Sequence, residues 1–133
     1  EGLADGTIDA ISADRMPVDR DANMQPFGPA QPGASAVDTL LALCLTLVHQ
    51  GQISMTRMIE ALSMAPASIL DIEGGTLSPG GAADFILFRP HSSWIITGAN
   101  FISDSRITPF ESLPVQGLVD ATYVNGLAVF TRD

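Results

Sequence analysis

The stretch that decides the fold is residues 8–18, IDAISADRMPV. Its apolar first part, residues 8–13, predicts a buried β-strand, and this strand ends at a single carboxylate, Asp14. A proline-containing loop follows immediately. Enzymes built on an α/β barrel place their catalytic groups at the carboxyl ends of the barrel strands, so Asp14 is the first candidate for a catalytic residue.

The residues that follow predict a long loop and then a buried helix. Residues 15–35 hold four prolines and no helical periodicity, and loops of this length in a compact domain are often functional. Ser35 is a plausible N-cap, with Asp38 at the third position of an acidic capping box. The run at 37–50 is apolar nearly all round, which predicts a buried helix that ends at Gly51.

The rest of the chain predicts two shorter helices and then a β unit. Ser54 is expected to cap a second helix, and Pro66 fits the first position of a third. Strands are expected at 85–88 and 94–97, with a loop at 98–116 and a hairpin of 118–124 with 127–132 around the Asn125-Gly126 turn. The predicted domains are therefore residues 1–72 and residues 73–133.

Composition narrows the class of protein. The 133 residues carry a net charge of −9, and all six basic residues are arginines. A lysine-free, acidic chain argues against nucleic acid and against an anionic membrane surface as partners. The sequence shows no apolar run of the roughly 18 residues that a membrane span needs and no basic-then-apolar leader, so we expect a cytoplasmic protein. Cys44, within an apolar run, is expected to be a buried hydrophobe.

Several segments, taken in order, resemble the dihydroorotases, which are cyclic amidohydrolases of a metal-dependent superfamily. The resemblance rests on DGTIDAISAD at 5–14, PFGPAQPG at 26–33, the helical run at 38–70, GGTLSPGGAADFILF at 74–88, SDSRITPF at 103–110 and VDATYVNGLAVF at 119–130. The helical run and the GTLSPGGAAD pattern are shared with hydantoinases and allantoinases. The TPF motif at 108–110 favours dihydroorotase, and the likeness corresponds to about the last third of that family.

The resemblance implies an α/β fold. We expect the last strand and helices of a TIM-like hydrolase barrel, with the active-site loop, in residues 1–72, and a small β-sandwich unit in residues 73–133. Asp14 matches the aspartate after the last barrel strand, which implies that it is both a zinc ligand and the general base. Pro32 and Gly33 match a loop whose backbone contacts the substrate. The implied reaction interconverts N-carbamoyl-L-aspartate and dihydroorotate in pyrimidine biosynthesis.

The chain also departs from the family pattern. A His-x-Pro commonly follows the aspartate, whereas this sequence has Arg15, Met16 and Pro17 and then Val18. We expect Arg15 to form a salt bridge with Asp14, Asp19 or Asp21. The family's HxH metal pair and metal-bridging lysine have no counterpart, because the histidines are His49 and His91 alone and lysine is absent.

Three interpretations therefore remain open. The chain is part of a dihydroorotase, inactive and without bound zinc when it is alone; or it is a non-catalytic homologue that acts as a structural partner of aspartate transcarbamoylase; or it is a hydantoinase or allantoinase. Because the helix at 37–50 is apolar all round and the strand at 8–13 has no neighbour, we also expect an exposed apolar surface. A missing N-terminal barrel segment or self-association would cover it.

Overall fold

The structure, a computed structural model, describes residues 1–16 and 20–132 and consists of short helices followed by a three-stranded sheet. Both strand pairs are antiparallel, and β2 lies between β1 and β3. The helices are α1 (Gly2–Asp5), α2 (Arg20–Asn23), α3 (Leu40–His49), α4 (Met55–Ile59) and α5 (Ala65–Ile69). The strands are β1 (Phe85–Ile95), β2 (Pro114–Val124) and β3 (Leu127–Thr131).

The predicted second and third helices are one continuous helical stretch. Ser54 caps it as expected, since its Oγ accepts a hydrogen bond of 3.0 Å from the Arg57 N–H. A π-helical turn, Glu60–Met64, joins α4 to α5, so Pro66 lies inside the stretch and does not begin a new helix. Proline removes one backbone hydrogen bond and crowds the preceding turn, and the wider π turn just before it accommodates both effects. No helix in the described part of the chain is long and apolar enough to cross a membrane.

The start of the first long helix differs from the prediction. α3 begins at Leu40, and neither Ser35 nor Asp38 caps it. Ser35 is fully buried before the helix, and the Asp38 carboxylate binds a distant segment of the chain instead. A capping box predicted from local spacing is lost here because a long-range partner takes the carboxylate. The predicted end is right, with Gly51 at a φ of +69°.

The sheet differs from the prediction at its first strand. Residues 85–88 and 94–97 were expected as separate strands, but β1 runs continuously from 85 to 95 with a register irregularity between Arg89 and Ser93. Pro90 lies at this irregularity, where a missing N–H donor is tolerated. β2 begins at Pro114, inside the predicted loop. The predicted hairpin is confirmed, and Asn125 and Gly126 have the positive φ angles of a two-residue turn, +49° and +76°.

Helix α3 joins the helices to the sheet. One core cluster packs Ala42 of α3 against Ile96 and Val115 of the sheet region, and a second packs Leu45 against the residues that follow α3. A Cβ on Gly117 of β2 would lie 2.3 Å from Leu45 Cδ1, so the helix approaches the strand closely. The division into residues 1–72 and 73–133 stays a prediction, and the two parts share this core.

The predicted strand at 8–13 is wrong for this chain taken alone. Residues 9–16 have no regular secondary structure, and Ile8 is 50% exposed. Within the described residues, the backbone of this segment is held by single hydrogen bonds, such as the 2.9 Å bond from Ile11 N–H to Ala61 O. A buried strand needs neighbouring strands on its edges, and the strands described here all belong to the C-terminal sheet.

Candidate functional site

Asp14 ends the extended segment in an exposed turn. Its φ is +42°, a left-handed backbone that aspartate tolerates better than most residues, and its N–H donates to Ser12 Oγ at 3.2 Å. Among residues 1–16 and 20–132, no hydrogen bond or ion pair engages the Asp14 carboxylate, and Arg15 forms no salt bridge with Asp14 or Asp21. Pro17, Val18 and Asp19 lie outside the described residues. The Asp14 carboxylate is therefore accessible to solvent in this chain.

The loop that carries Pro32 and Gly33 is held by two hydrogen bonds at the preceding residue, Gln31. The Gln31 N–H donates to Ala22 O at 3.1 Å, and its carbonyl accepts from Asn23 Nδ2 at 3.3 Å. Pro32 is exposed and Gly33 is half-buried. Helix α2 thus holds the chain immediately before the two residues that were predicted to contact substrate.

The other end of this loop is bonded to the segment that carries the TPF motif. The Ser35 N–H donates to Ile107 O at 2.8 Å. Asp38 accepts a hydrogen bond from the Ile102 N–H at 3.0 Å and another from Ser103 Oγ at 2.5 Å. Two stretches that lie about 70 residues apart in the sequence, and that both carried the resemblance, therefore meet in space.

Arg57 is a residue of this region that the sequence analysis missed. Its guanidinium donates to the carbonyls of Leu3 and Ile8 at 2.8 and 2.6 Å and to that of Asp9 at 3.4 Å, and it forms a 2.9 Å ion pair with Glu60. One signal was available, because Arg57 is the one basic residue in the helical stretch from 55 to 69. Its carbonyl partners come from the N-terminal segment, which no local pattern indicates.

The described residues do not make a metal centre by themselves. They contain no group of three or more His, Cys, Asp or Glu side chains placed to hold a metal ion. A catalytic zinc site normally takes three protein ligands, and Asp14 supplies at most one. The donor set of the described residues therefore does not fit zinc without ligands from elsewhere.

The two histidines lie together, away from the predicted site residues. The rings of His49 and His91 stack with centroids 5.3 Å apart. His91 lies in β1, and its ring meets that of His49 at the end of α3. An open cavity of about 400 Å³ adjoins His49, and its lining comes from α3, β1 and β2 and includes neither Asp14 nor the Pro32-Gly33 loop.

The Cys44 thiol is buried in the second core cluster, as the sequence predicts. Burial raises the pKa of this thiol above its ordinary value, because the apolar surroundings disfavour the charged thiolate. Cys44 is therefore a packing residue and not a nucleophile.

Comparison with known proteins identifies relatives of the whole chain. No protein-family model matches it. A dihydroorotase of Syntrophus aciditrophicus is 38% identical over 133 residues, which are 100% of this chain and 31% of that protein. A dihydroorotase-like protein of Pseudomonas putida is 40% identical over 121 residues, which are 91% of this chain and 28% of that protein.

A solved structure shares the fold. The dihydropyrimidinase of Brevibacillus agri NCHU1002 superposes with a TM-score of 0.91 at 21% identity, over 98% of this chain and 30% of that one. The chain thus spans about a third of the length of the proteins it matches. The resemblance predicted from the motifs is confirmed by the curated relatives, and the solved structure shows the common fold.

Proposed function

The chain is homologous to dihydroorotases over its whole length, and from that premise we propose that it is part of an active dihydroorotase. Such an enzyme interconverts N-carbamoyl-L-aspartate and dihydroorotate in pyrimidine biosynthesis. The observation that carries the proposal is the 38% identity across all 133 residues. The chain spans 31% of that relative. In this proposal the activity belongs to a longer polypeptide, and these residues alone are inactive.

Asp14 serves as the general base in this proposal. It accepts a proton from the attacking water, whose oxygen adds to the amide carbonyl carbon of the ring. The carbon–nitrogen bond then breaks, and the ring nitrogen takes the proton back from the Asp14 carboxyl. The exposed carboxylate of Asp14 supports this role, since no partner within the described residues occupies the oxygens that would accept the proton.

The backbone of Pro32 and Gly33 orients the substrate. Support for this role comes from the bonds on both sides of the pair, to Gln31 before it and to Ser35 after it. A loop fixed at both ends presents its backbone groups in one geometry, which reduces the ordering cost of binding.

Zinc and the barrel belong to the longer polypeptide in this proposal. The described residues do not fit a zinc ion on their own, so Asp14 contributes one ligand and the others lie outside them. The barrel there covers the apolar side chains of residues 8–13, which would bury Ile8 and Ile11. The absent barrel segment, not self-association, then covers the exposed apolar side chains, and the protein works in the cytoplasm.

One alternative is favoured by a specific observation. Arg15 stands where the family pattern has a histidine after the aspartate, and Val18 stands where it has another histidine or a polar residue. A non-catalytic homologue that acts as a structural partner of aspartate transcarbamoylase would tolerate this change. A hydantoinase or allantoinase is not favoured, because hydantoinase and dihydropyrimidinase structures near 22% identity show the fold alone.

The test uses the full-length protein that carries this chain. Turnover of dihydroorotate together with stoichiometric zinc, measured by atomic emission, is the expected result, and hydantoin should be a poor substrate. Absence of turnover in a folded protein that co-purifies with aspartate transcarbamoylase would refute the enzyme proposal and favour the structural partner.

A further inference from the structure

Arg57 makes the widest-reaching side-chain contacts of α4. Its Nε donates to Leu3 O at 2.8 Å, and its Nη2 donates to Ile8 O at 2.6 Å and to Asp9 O at 3.4 Å. Only 18% of the side chain is exposed. The guanidinium of Arg57 therefore donates hydrogen bonds to three carbonyls of a segment about 50 residues earlier in the chain.

The same helical stretch holds the next part of that segment. Ile11 N–H donates to Ala61 O at 2.9 Å, one turn beyond Arg57. Asp14 follows three residues later, where the backbone turns at a φ of +42°. The segment from Leu3 to Asp14 is thus bound to the helical stretch at two places one turn apart. The Arg57 side chain makes the first contact and the Ala61 carbonyl the second.

We propose that Arg57 is a positioning residue for Asp14. By binding the carbonyls of Leu3, Ile8 and Asp9, it fixes the segment against α4 and so sets where the Asp14 carboxylate lies. This inference rests on the proposed role of Asp14 as the general base. It assigns Arg57 no contact with substrate.

The ion pair with Glu60 does not account for the bonds from Arg57 to the three carbonyls. Glu60 is 49% exposed, and exposed ion pairs contribute little to stability. Hydrogen bonds from a charged donor to a carbonyl are stronger than neutral ones, and the Arg57 side chain that donates them is only 18% exposed. Lysine carries a single ammonium and cannot reproduce the planar fork that reaches carbonyls in different directions.

The experiment compares three variants of the full-length protein: Arg57→Ala, Arg57→Lys and Glu60→Gln. Amide hydrogen exchange over residues 8–14 and steady-state kinetics with dihydroorotate are measured for each. In both Arg57 variants the Ile11 amide hydrogen should exchange faster. The kcat of both should fall about 10- to 100-fold, because a misplaced catalytic group slows the reaction more than it weakens binding. KM should stay within about twofold, and added guanidinium chloride should partly restore Arg57→Ala.

Glu60→Gln is the matched control, because it removes the ion pair and keeps the carbonyl bonds. It should leave both readouts unchanged. Unaltered exchange at Ile11 in Arg57→Ala would overturn the inference, as would a loss of protection spread equally over α3 in both Arg57 variants. If Ile11 loses protection but the wild type shows no turnover, the anchoring role stands and the proposed function fails.

Discussion

The helix–sheet region and the N-terminal segment of this chain are stabilised in different ways. In the first, α3 packs against β2 and the residues next to it, and Leu45 and Ile96 are fully buried. In the second, apolar side chains remain in solvent, and Met24 and Phe27 are 69% and 102% exposed. The first region makes its own core. The second is held by long-range polar bonds and by Leu3 and Ile11, which are partly buried against that core.

This difference bears on where function lies. The candidate base, Asp14, and the loop of Pro32 and Gly33 both belong to the weakly packed segment. Loops placed by a rigid neighbour are common carriers of catalytic groups. The hydrogen bonds of Arg57 and Asp38, together with the packing of Leu3 and Ile11, therefore connect the site to the rigid part of the chain.

The largest effect on stability is expected for Leu45→Ala. Leu45 is fully buried between α3 and β2, and such a truncation removes about 2–5 kcal/mol through lost burial and a residual cavity. Native-state hydrogen exchange at the α3 amides of the full-length protein measures the loss. Leu127→Ala, at a side chain 71% exposed, is the control and should change the opening free energy by less than about 0.5 kcal/mol. Equal losses of protection in the two variants would show that the buried contact between α3 and β2 does not set the stability of this region.

A smaller effect is expected for Asp38→Asn. The change weakens the hydrogen bonds that Asp38 accepts from Ile102 and Ser103, which corresponds to about 1–3 kcal/mol locally. Exchange of the Ile102 amide should rise while the α3 amides stay protected. Asp104→Asn alters an exposed carboxylate on the same segment and serves as the control. If Ile102 keeps its protection, the bond from Asp38 does not hold the two motifs together.

The smallest effect is expected for Ser54→Ala. This change removes the N-cap bond to the Arg57 amide, which is typically worth about 1 kcal/mol. Protection should fall at the start of α4, and the loosened first turn should also raise exchange at Ile11 slightly. Ser68→Ala, at an exposed position in α5, should leave both amides unchanged. A fall confined to α4 would show that the cap and the Arg57 bonds act independently.

The features predicted correctly from the sequence depend on neighbours in the chain. The Ser54 cap, the Gly51 end of α3 and the Asn125-Gly126 hairpin each follow from a few adjacent residues. Such features need no knowledge of distant partners.

The features that were missed depend on distant partners. Asp38 has the spacing of a capping residue, yet it binds Ile102 and Ser103. The apolar pattern at 8–13 predicts a strand, but strand pairing needs neighbours that these residues do not have in the described structure. The Asp14 carboxylate could be nominated from the sequence, whereas the anchoring by Arg57 could only be seen once the segment was placed on α4.

The most direct test of Asp14 as the general base is the turnover of dihydroorotate by the Asp14→Asn variant of the full-length protein. The Asp71→Asn variant is the control. Asp71 is also exposed and also has a left-handed backbone, with a φ of +51°, so it controls for the conformational effect of the change. If Asp14 is the general base, kcat should fall about 10²- to 10⁴-fold in Asp14→Asn and stay unchanged in Asp71→Asn. An Asp14→Asn protein that opens the ring at the wild-type rate would contradict it.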